Sequence, residues 1–325
     1  MIEAQDLTRT FRSGFRRKRI TAVENLNLAI QPGELFGLVG PDGAGKTTTL
    51  RMLAGILKPS SGQATVNGHD IVKGAEDIKQ ELGYMPQQFG LYPDLTVDEN
   101  MNFVCDVFDV MGEERQTRME ELLDFTGLHD IRTRRGRNLS GGMQKKLGLA
   151  AALVHKPKLL LLDEPSTGVD PVARREFWDI LTTLHAAGST VVVSTPYMDE
   201  AERCNRVGLM YGGQMMICDS PSGIKRMLPG SVLALRADNL TLAEDVLKQV
   251  PDVLDVQPYG DVLNIISNDE AGASAIESRL TAAGVTVDSL RPTPPRMEEA
   301  FIYFVRQYAS GDAAQAAASP TEVTA

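Results

Sequence analysis

The residues able to do chemistry fall in three short clusters. The first is Gly40-Pro-Asp-Gly-Ala-Gly-Lys-Thr47, which fills every position of G-x-x-x-x-G-K-[ST] directly after an apolar run and before a helical pattern. Its glycines let the backbone curl so that successive N–H groups converge, and with a helix start these bind phosphate oxygens. Gly40, Asp42, Gly43, Ala44, Gly45, Lys46, Thr47 and Thr48 are therefore the expected phosphate contacts. Lys46 would neutralise the β- and γ-phosphates of a nucleotide, and the Thr47 hydroxyl would hold Mg²⁺. The second cluster, Asp163-Glu164, ends the run Leu159-Leu-Leu-Leu162. This places two carboxylates at the carboxyl edge of a sheet, where open α/β folds bind ligands. Asp163 can reach the Mg²⁺ shell through water, which leaves Glu164 to polarise an attacking water. The third is Asn138-Leu-Ser-Gly-Gly-Met143-Gln144. Ser140 is a good N-cap, Gly141 and Gly142 allow close backbone approach, and Met143, Leu147, Ala150, Ala151 and Val154 form a helical apolar face. One nucleotide needs one phosphate loop, so this second donor set is expected to complete a site on another copy.

These clusters need a sheet to bring them together. Leu35-Phe-Gly-Leu-Val39, Lys158-Leu-Leu-Leu-Leu162 and Thr190-Val-Val-Val-Ser194 are continuous rather than alternating, as strands buried on both faces of a parallel sheet are. Arg206 to Met210 and Gln214 to Cys218, separated by Tyr211-Gly-Gly213, predict a closing hairpin, and Asp219-Ser-Pro-Ser-Gly223 is punctuation. From about Ser231 the pattern becomes strand, helix, two strands, helix and strand, a ferredoxin-like order. The expected strands are Val232 to Arg236, Val253 to Pro258, Val262 to Ser267 and Val285 to Leu290; the helices are Leu242 to Val250 and Ala271 to Ala283. Met297 to Val305 reads as a docking helix, and the Ala-, Ser-, Gly- and Thr-rich tail after Ala309 as disordered.

With 325 residues the chain suggests about two domains at ~150 residues each. Its 42% hydrophobic and 23% charged residues are globular in balance, and a net charge of −10 disfavours broad attraction to nucleic acid or anionic lipid. The basic stretch Arg12 to Arg19 reads as a solvated loop, with contact to lipid headgroups as the alternative. Three scattered cysteines without C-x-x-C fit a reducing compartment, and His69, His129, His155 and His185 lack metal-ligand spacing. With no long apolar run and no basic-then-apolar start, neither a membrane span nor a cleaved signal is expected. No Asn-Lys-x-Asp guanine-reading motif occurs.

Motifs of these kinds in this order resemble the ATP-binding subunits of ABC transporters, whose signature is L-S-G-G-Q; here Met143 takes the Gln position and Gln144 follows. The resemblance spans about residues 1 to 220. It implies a P-loop NTPase α/β fold with a mostly parallel sheet, an antiparallel N-terminal sheet and a helical signature subdomain, then a small α+β ferredoxin-like domain. The implied domains are 1–222, with the helical part near 88–155, then 223–308, and a tail at 309–325. The cofactors would be ATP and Mg²⁺. Phe11 matches the aromatic that stacks on adenine, the alternative being a core aromatic on a strand face. Gln87, in Tyr84-Met-Pro-Gln87 with Leu91-Tyr92-Pro93 following, matches the glutamine that reaches metal and water and links the site to the membrane subunit; Gln88 is the alternative register. Ser166-Thr-Gly-Val-Asp170 matches the loop crossing the dimer seam, ending at Asp170.

One motif departs. Where the family carries a switch histidine, the sequence reads Ser194-Thr195-Pro196-Tyr197. Proline offers neither ring nitrogens nor an N–H to a γ-phosphate, a loss that costs roughly 10²–10³ in rate. Three outcomes stay open: a homodimer working through Glu164 alone, a heterodimer with an ATPase subunit carrying the histidine, or a chain that mainly binds ATP. The implied partner is a separate transmembrane permease, docking near Gln87 to Val104 through some of Phe89, Leu91, Leu95, Val97, Met101 and Phe103, the rest being core. This places the chain in the cytoplasm, peripheral on the inner face of the membrane. Tyr197 to Glu202, Asp219 to Ser222 and Met297 to Phe301 look like bacterial ATPases of drug and polysaccharide exporters, whose C-terminal unit helps dimerise or dock. A soluble ABC ATPase acting on DNA or ribosomes is the rival, but neither a second cassette nor a coiled-coil insertion is visible.

Overall fold

The computed structural model describes residues 1–13, 18–268 and 272–310. Part of the basic stretch and the tail from residue 311 lie outside the described residues. The chain forms two compact units, Met1–Cys218 and Asp219–Ala325.

In the first unit, β1 (Ile2–Ser13), β2 (Lys18–Ile30), β3 (Leu35–Val39), β4 (Ser61–Val66), β5 (His69–Asp70), β6 (Leu82–Met85), β7 (Leu159–Asp163), β8 (Thr190–Thr195), β9 (Arg206–Tyr211) and β10 (Gln214–Asp219) build two sheets. One is antiparallel in the order β2-β1-β4-β5; the other runs β10-β9-β3-β8-β7-β6 and is parallel from β9 to β6. The continuous apolar strands β3, β7 and β8 are buried along their whole length. Because β8 lies between β3 and β7, Val39 pairs with Thr195 and Asp163 with Ser194. The residues following all three strands therefore leave the sheet at one edge. The run expected at Lys158 to Leu162 is strand at Leu159–Asp163, so Asp163 itself ends it. The β9–β10 hairpin turns on Gly212 and Gly213, with φ of 56° and 87°, the left-handed pair that a two-residue turn needs.

Helices α1 (Lys46–Leu53), α2 (Ala75–Glu81), α3 (Val97–Val107), α4 (Gly112–Thr126), α5 (Gly141–Ala152), α6 (Pro171–Ala186) and α7 (Met198–Ala201) complete this unit. Through Leu50 and Leu53, α1 shares one apolar core with inner residues of both sheets, among them Leu7, Leu26, Leu38 and Leu161. Three helices start on caps written in the sequence. Thr96 and Glu99 form a reciprocal capping box on α3, Ser140 caps α5, and Asp170 followed by Pro171 opens α6.

The second unit comprises α8 (Pro221–Arg226), β11 (Ser231–Ala237), α9 (Leu240–Leu247), β12 (Val253–Tyr259), β13 (Val262–Ser267), α10 (Gly272–Ala282), β14 (Val287–Thr293) and α11 (Met297–Ser310). Its sheet runs β12-β13-β11-β14, every neighbour antiparallel, which is the split βαβ order of a ferredoxin-like unit. Leu233, Leu235, Leu263 and Ile265 meet Leu247 and Leu280 of the helices on one face. By strand alternation Gln257 and Asn264 lie on the other, where Asn264 donates to Glu299 of α11 at 2.9 Å. Several boundaries differ from expectation, most in α9, which ends at Leu247 rather than Val250, and in β14. α9 begins at Leu240 rather than Leu242, because the Asn239 side chain accepts from the Leu242 N–H at 3.1 Å and caps it. β14 spans Val287–Thr293 rather than Val285 to Leu290: Gly284 turns at φ 83°, Val285 drops into the core, and the edge position of the strand tolerates Pro292.

Candidate active site

The glycine loop is shaped by what surrounds it. A Cβ at position 40 would sit 2.2 Å from the Met210 carbonyl oxygen, and one at position 45 would sit 2.5 Å from that of Ala22 while φ there is 104°. Only glycine meets both demands. Gly45 opens α1 without a side-chain cap, so the first-turn N–H groups are left for a ligand. Asp42 to Thr48, with Ala22, Gln87 and Glu164, line a cleft of about 360 Å³.

Lys46 is buried and held from several directions. Its Nζ donates to the Gly40 and Pro41 carbonyls at 2.7 and 3.0 Å and pairs with Glu164 Oε1 at 3.1 Å. Thr47 Oγ1 donates to Asp163 Oδ1 at 2.9 Å, and Ser194 Oγ donates to the same oxygen at 2.8 Å. Burial pushes the Asp163 carboxyl above its ordinary pKa, against the hydrogen bonds from Ser194 and Thr47. Asp163 Oδ2 is buried without a hydrogen-bond partner. An unpartnered carboxylate oxygen beside a threonine hydroxyl is an oxygen donor set that suits a hard divalent cation.

Glu164 sits in the left-handed region at φ 45°, a conformation that costs a non-glycine residue about 1–3 kcal/mol and is held only by its surroundings. Its N–H donates to Ser194 Oγ at 2.9 Å. Its Oε2 accepts from Gln87 Nε2 at 2.8 Å and from Thr167 Oγ1 at 3.3 Å. Of the two glutamine registers, then, the one at 87 meets Glu164; Gln88 instead lines a neighbouring groove. Lys145 Nζ donates to the Gln87 and Glu164 carbonyl oxygens at 2.5 and 3.3 Å, and burial lowers its pKa.

The other expected residues lie outside this cleft. Phe11 is exposed on β1 rather than in the core, with the Arg9 guanidinium 4.6 Å from its ring centre. Ser140 and Gly141 are exposed, and Ser140 Oγ accepts from the Met143 N–H at 3.3 Å. Gly142 is buried by its own chain, since an added Cβ would lie 2.7 Å from Ala173 Cβ. Asp170 is exposed and accepts from the Val172 and Ala173 N–H groups at 3.1 and 3.0 Å. Pro196 follows β8 in a loop tied down by its neighbours: Thr195 Oγ1 donates to Glu200 at 2.5 Å and accepts from the Tyr197 N–H at 3.0 Å.

Sequence reasoning missed Ala22, Ser194, Thr167 and Lys145. Strand pairing alone reveals Ser194 beside Asp163. Lys145 stands in the polar run Gln144-Lys145-Lys146 of α5, so no local signal sets it apart. Next to the cleft is an apolar groove of about 330 Å³, walled by Met85, Phe89, Leu91, Phe108 and Gly148 among others. Of the proposed docking residues, Val97 and Met101 are fully buried and belong to the core, while Phe103 is exposed and packs edge-on against Tyr92.

The ABC transporter family pattern matches residues 23–167. The linearmycin resistance ATP-binding protein LnrL of Bacillus subtilis (strain 168) is 31% identical over 308 residues, 93% of this chain and 97% of that protein. The chain belongs to the family of ABC transporter ATP-binding proteins. Another member, "Probable multidrug ABC transporter ATP-binding protein YbhF" of Escherichia coli (strain K12), is 44% identical over 284 residues. That match covers 86% of this chain but 48% of YbhF, so the chain spans about half the length of this relative. Among ABC cassettes of known structure, the dimeric post-hydrolysis state of MJ0796 bound to ADP and Pi aligns with TM-score 0.62 and 28% identity, over 68% of this chain and 98% of MJ0796. The α/β cassette is thereby that of an ABC ATPase.

Proposed function

We propose that the chain binds ATP with Mg²⁺ and hydrolyses it, and that two ATPase chains sandwich the nucleotide to power export through a separate transmembrane subunit. The observation that carries this reading is Glu164, a buried carboxylate held between Lys46 and Gln87 at the mouth of the glycine loop. In it, α1 and the loop N–H groups bind the phosphates, and Lys46 exchanges its Glu164 partner for them. Thr47 and Asp163 would hold Mg²⁺, which supplies charge neutralisation on the β- and γ-phosphates. Gln87 orients the water and Glu164 accepts its proton as the water oxygen bonds to the γ-phosphorus and the bond to the bridging oxygen breaks.

The exposed tip of α5, with Ser140 and Gly141 outside the chain's own cleft, supports a role for those residues on a second chain's triphosphate. Asp170 at the cap of α6 would sit at that seam, and Phe11, exposed on the antiparallel sheet, would stack on adenine. The dimeric MJ0796 cassette and the names of the multidrug, linearmycin resistance and Nod factor export relatives support dimerisation and export. The groove beside Gln87 is where the permease would dock, and the chain would then lie peripherally at the inner membrane face. Among the described residues no helix is long and apolar enough to cross a membrane.

Pro196 favours a second reading, slow turnover with a partner ATPase subunit supplying the stronger site. Purified chain and Glu164→Gln, compared for ATP binding and for phosphate release, test both. The hydrolytic reading expects equal binding and turnover lowered by about 10²–10³ in the variant. Equal inactivity of both proteins with binding intact supports the second reading and overturns the first.

A further inference from the structure

We propose that Lys145 is a positioning residue: its ammonium group ties α5 to the backbones of Gln87 and Glu164 and so carries movement of the groove wall to the hydrolytic pair. The inference rests on the hydrolytic reading above and extends it to a residue outside the cleft lining.

Lys145 stands at the junction of two surfaces. Along with Gln144, Gly148 and Ala151 of α5 it walls the apolar groove, opposite Gln88, Phe89 and Leu91 of the segment after Gln87. Its Nζ leaves that wall to donate to the Gln87 carbonyl at 2.5 Å and the Glu164 carbonyl at 3.3 Å. Those two residues also meet through their side chains, Gln87 Nε2 donating to Glu164 Oε2 at 2.8 Å. One ammonium therefore braces the two backbones whose side chains form the reacting pair. Its three N–H donors reach two carbonyls in the segments that follow β6 and β7, a connection an apolar side chain of equal length cannot make.

The consequence is mechanical. Glu164 holds a left-handed conformation that its surroundings must impose, and the Lys145 bond to its carbonyl is one of those restraints. A rigid α5 cannot shift along the groove without pulling on the Gln87 and Glu164 carbonyls together. Displacement of a reacting group by about 1 Å can cost roughly 10²-fold in rate while substrate binding is untouched.

The test uses the full chain, with Mg-ATP as the probe, in the wild type, Lys145→Met, Lys145→Arg and Glu164→Gln. Lys145→Met keeps the stem and removes the donors; Lys145→Arg restores donors. The expected result is a kcat lowered about 10- to 100-fold in Lys145→Met with KM and equilibrium ATP affinity within about threefold of wild type, and recovery of most of that loss in Lys145→Arg. A kcat within about twofold of wild type in Lys145→Met, an equal loss in Lys145→Arg, or an affinity falling in step with kcat overturns the positioning role. Thermal melting of each variant separates lost folding from lost positioning, and an unfolded Lys145→Met beside a folded but equally impaired Lys145→Arg also counts against it. Wild-type turnover no faster than that of Glu164→Gln defeats the hydrolytic reading itself, whereas normal wild-type turnover with an unaffected Lys145→Met defeats this inference alone.

Discussion

Gly142 shows how one residue can answer to two demands. Its place in the Leu139-Ser-Gly-Gly motif suggests a backbone left bare for an anion, yet the structure packs it against Ala173 at the start of α6. A methyl group at 142 would approach Ala173 Cβ to 2.7 Å, closer than two carbons can stand. Gly142→Ala should therefore destabilise the first unit by about 1–3 kcal/mol in urea unfolding, and Ala173→Gly in the same chain should restore most of it. If the double variant is no more stable than the single, the cost arises elsewhere. Glu164 is a related case, a glutamate in a backbone region that favours glycine, held by Ser194, Lys46 and Gln87. No sequence pattern announces that strain, because it depends on which groups surround the end of β7.

Among the elements, the contact between α3, α5 and β6 contains a titratable group with no part in the proposed hydrolysis. His155 stacks on Phe108 with ring centres 3.9 Å apart, and its Nε2 lies 3.1 Å from the Leu82 carbonyl. Burial lowers its pKa, the Leu82 carbonyl opposing and Arg118 assisting. The unfolded chain then binds more protons than the folded one just below the ordinary imidazole value of about 6.5. Stability is thus complete above that pH and declines as pH falls through 6.5 toward the lower folded value. His155→Phe keeps an aromatic partner for Phe108 and should flatten this part of the acid limb, measured as urea midpoints across pH 5 to 7.5. An unchanged slope would show that other groups govern the limb. Of the helix caps, Ser140 was legible ahead of the apolar face of α5, whereas Thr96 and Asp170 emerged as caps only in the structure. Boundaries were lost where Asn239 took a cap that hydrophobic spacing does not reveal.

On the scale of the whole molecule, each of the two units has a core of its own, and each should respond to its own lesions. Glu299, buried in the second unit, accepts from Asn264 and from Arg296 Nε, both within 2.9 Å. Glu299→Ala leaves both donors without that acceptor. It should cost roughly 3 kcal/mol, the lower end for a broken buried pair, because the Arg296 side chain is 42% exposed. Hydrogen exchange should rise across β11 to β14 while ATP affinity is unchanged; exchange rising equally in β3 and β7 would show that the units unfold together. Short-range information was enough for the glycine loop, the acidic pair, the buried strands and the alternating pattern of the C-terminal unit, because a loop's curvature and a strand's burial are written in adjacent residues. The contact of Gln87 with Glu164, the bracing by Lys145, the pairing of Asp163 with Ser194 and the pressure on Gly142 waited for the assembled fold. Each is a contact between segments far apart in the chain, and what brings such segments together is the strand order and helix packing of the whole unit.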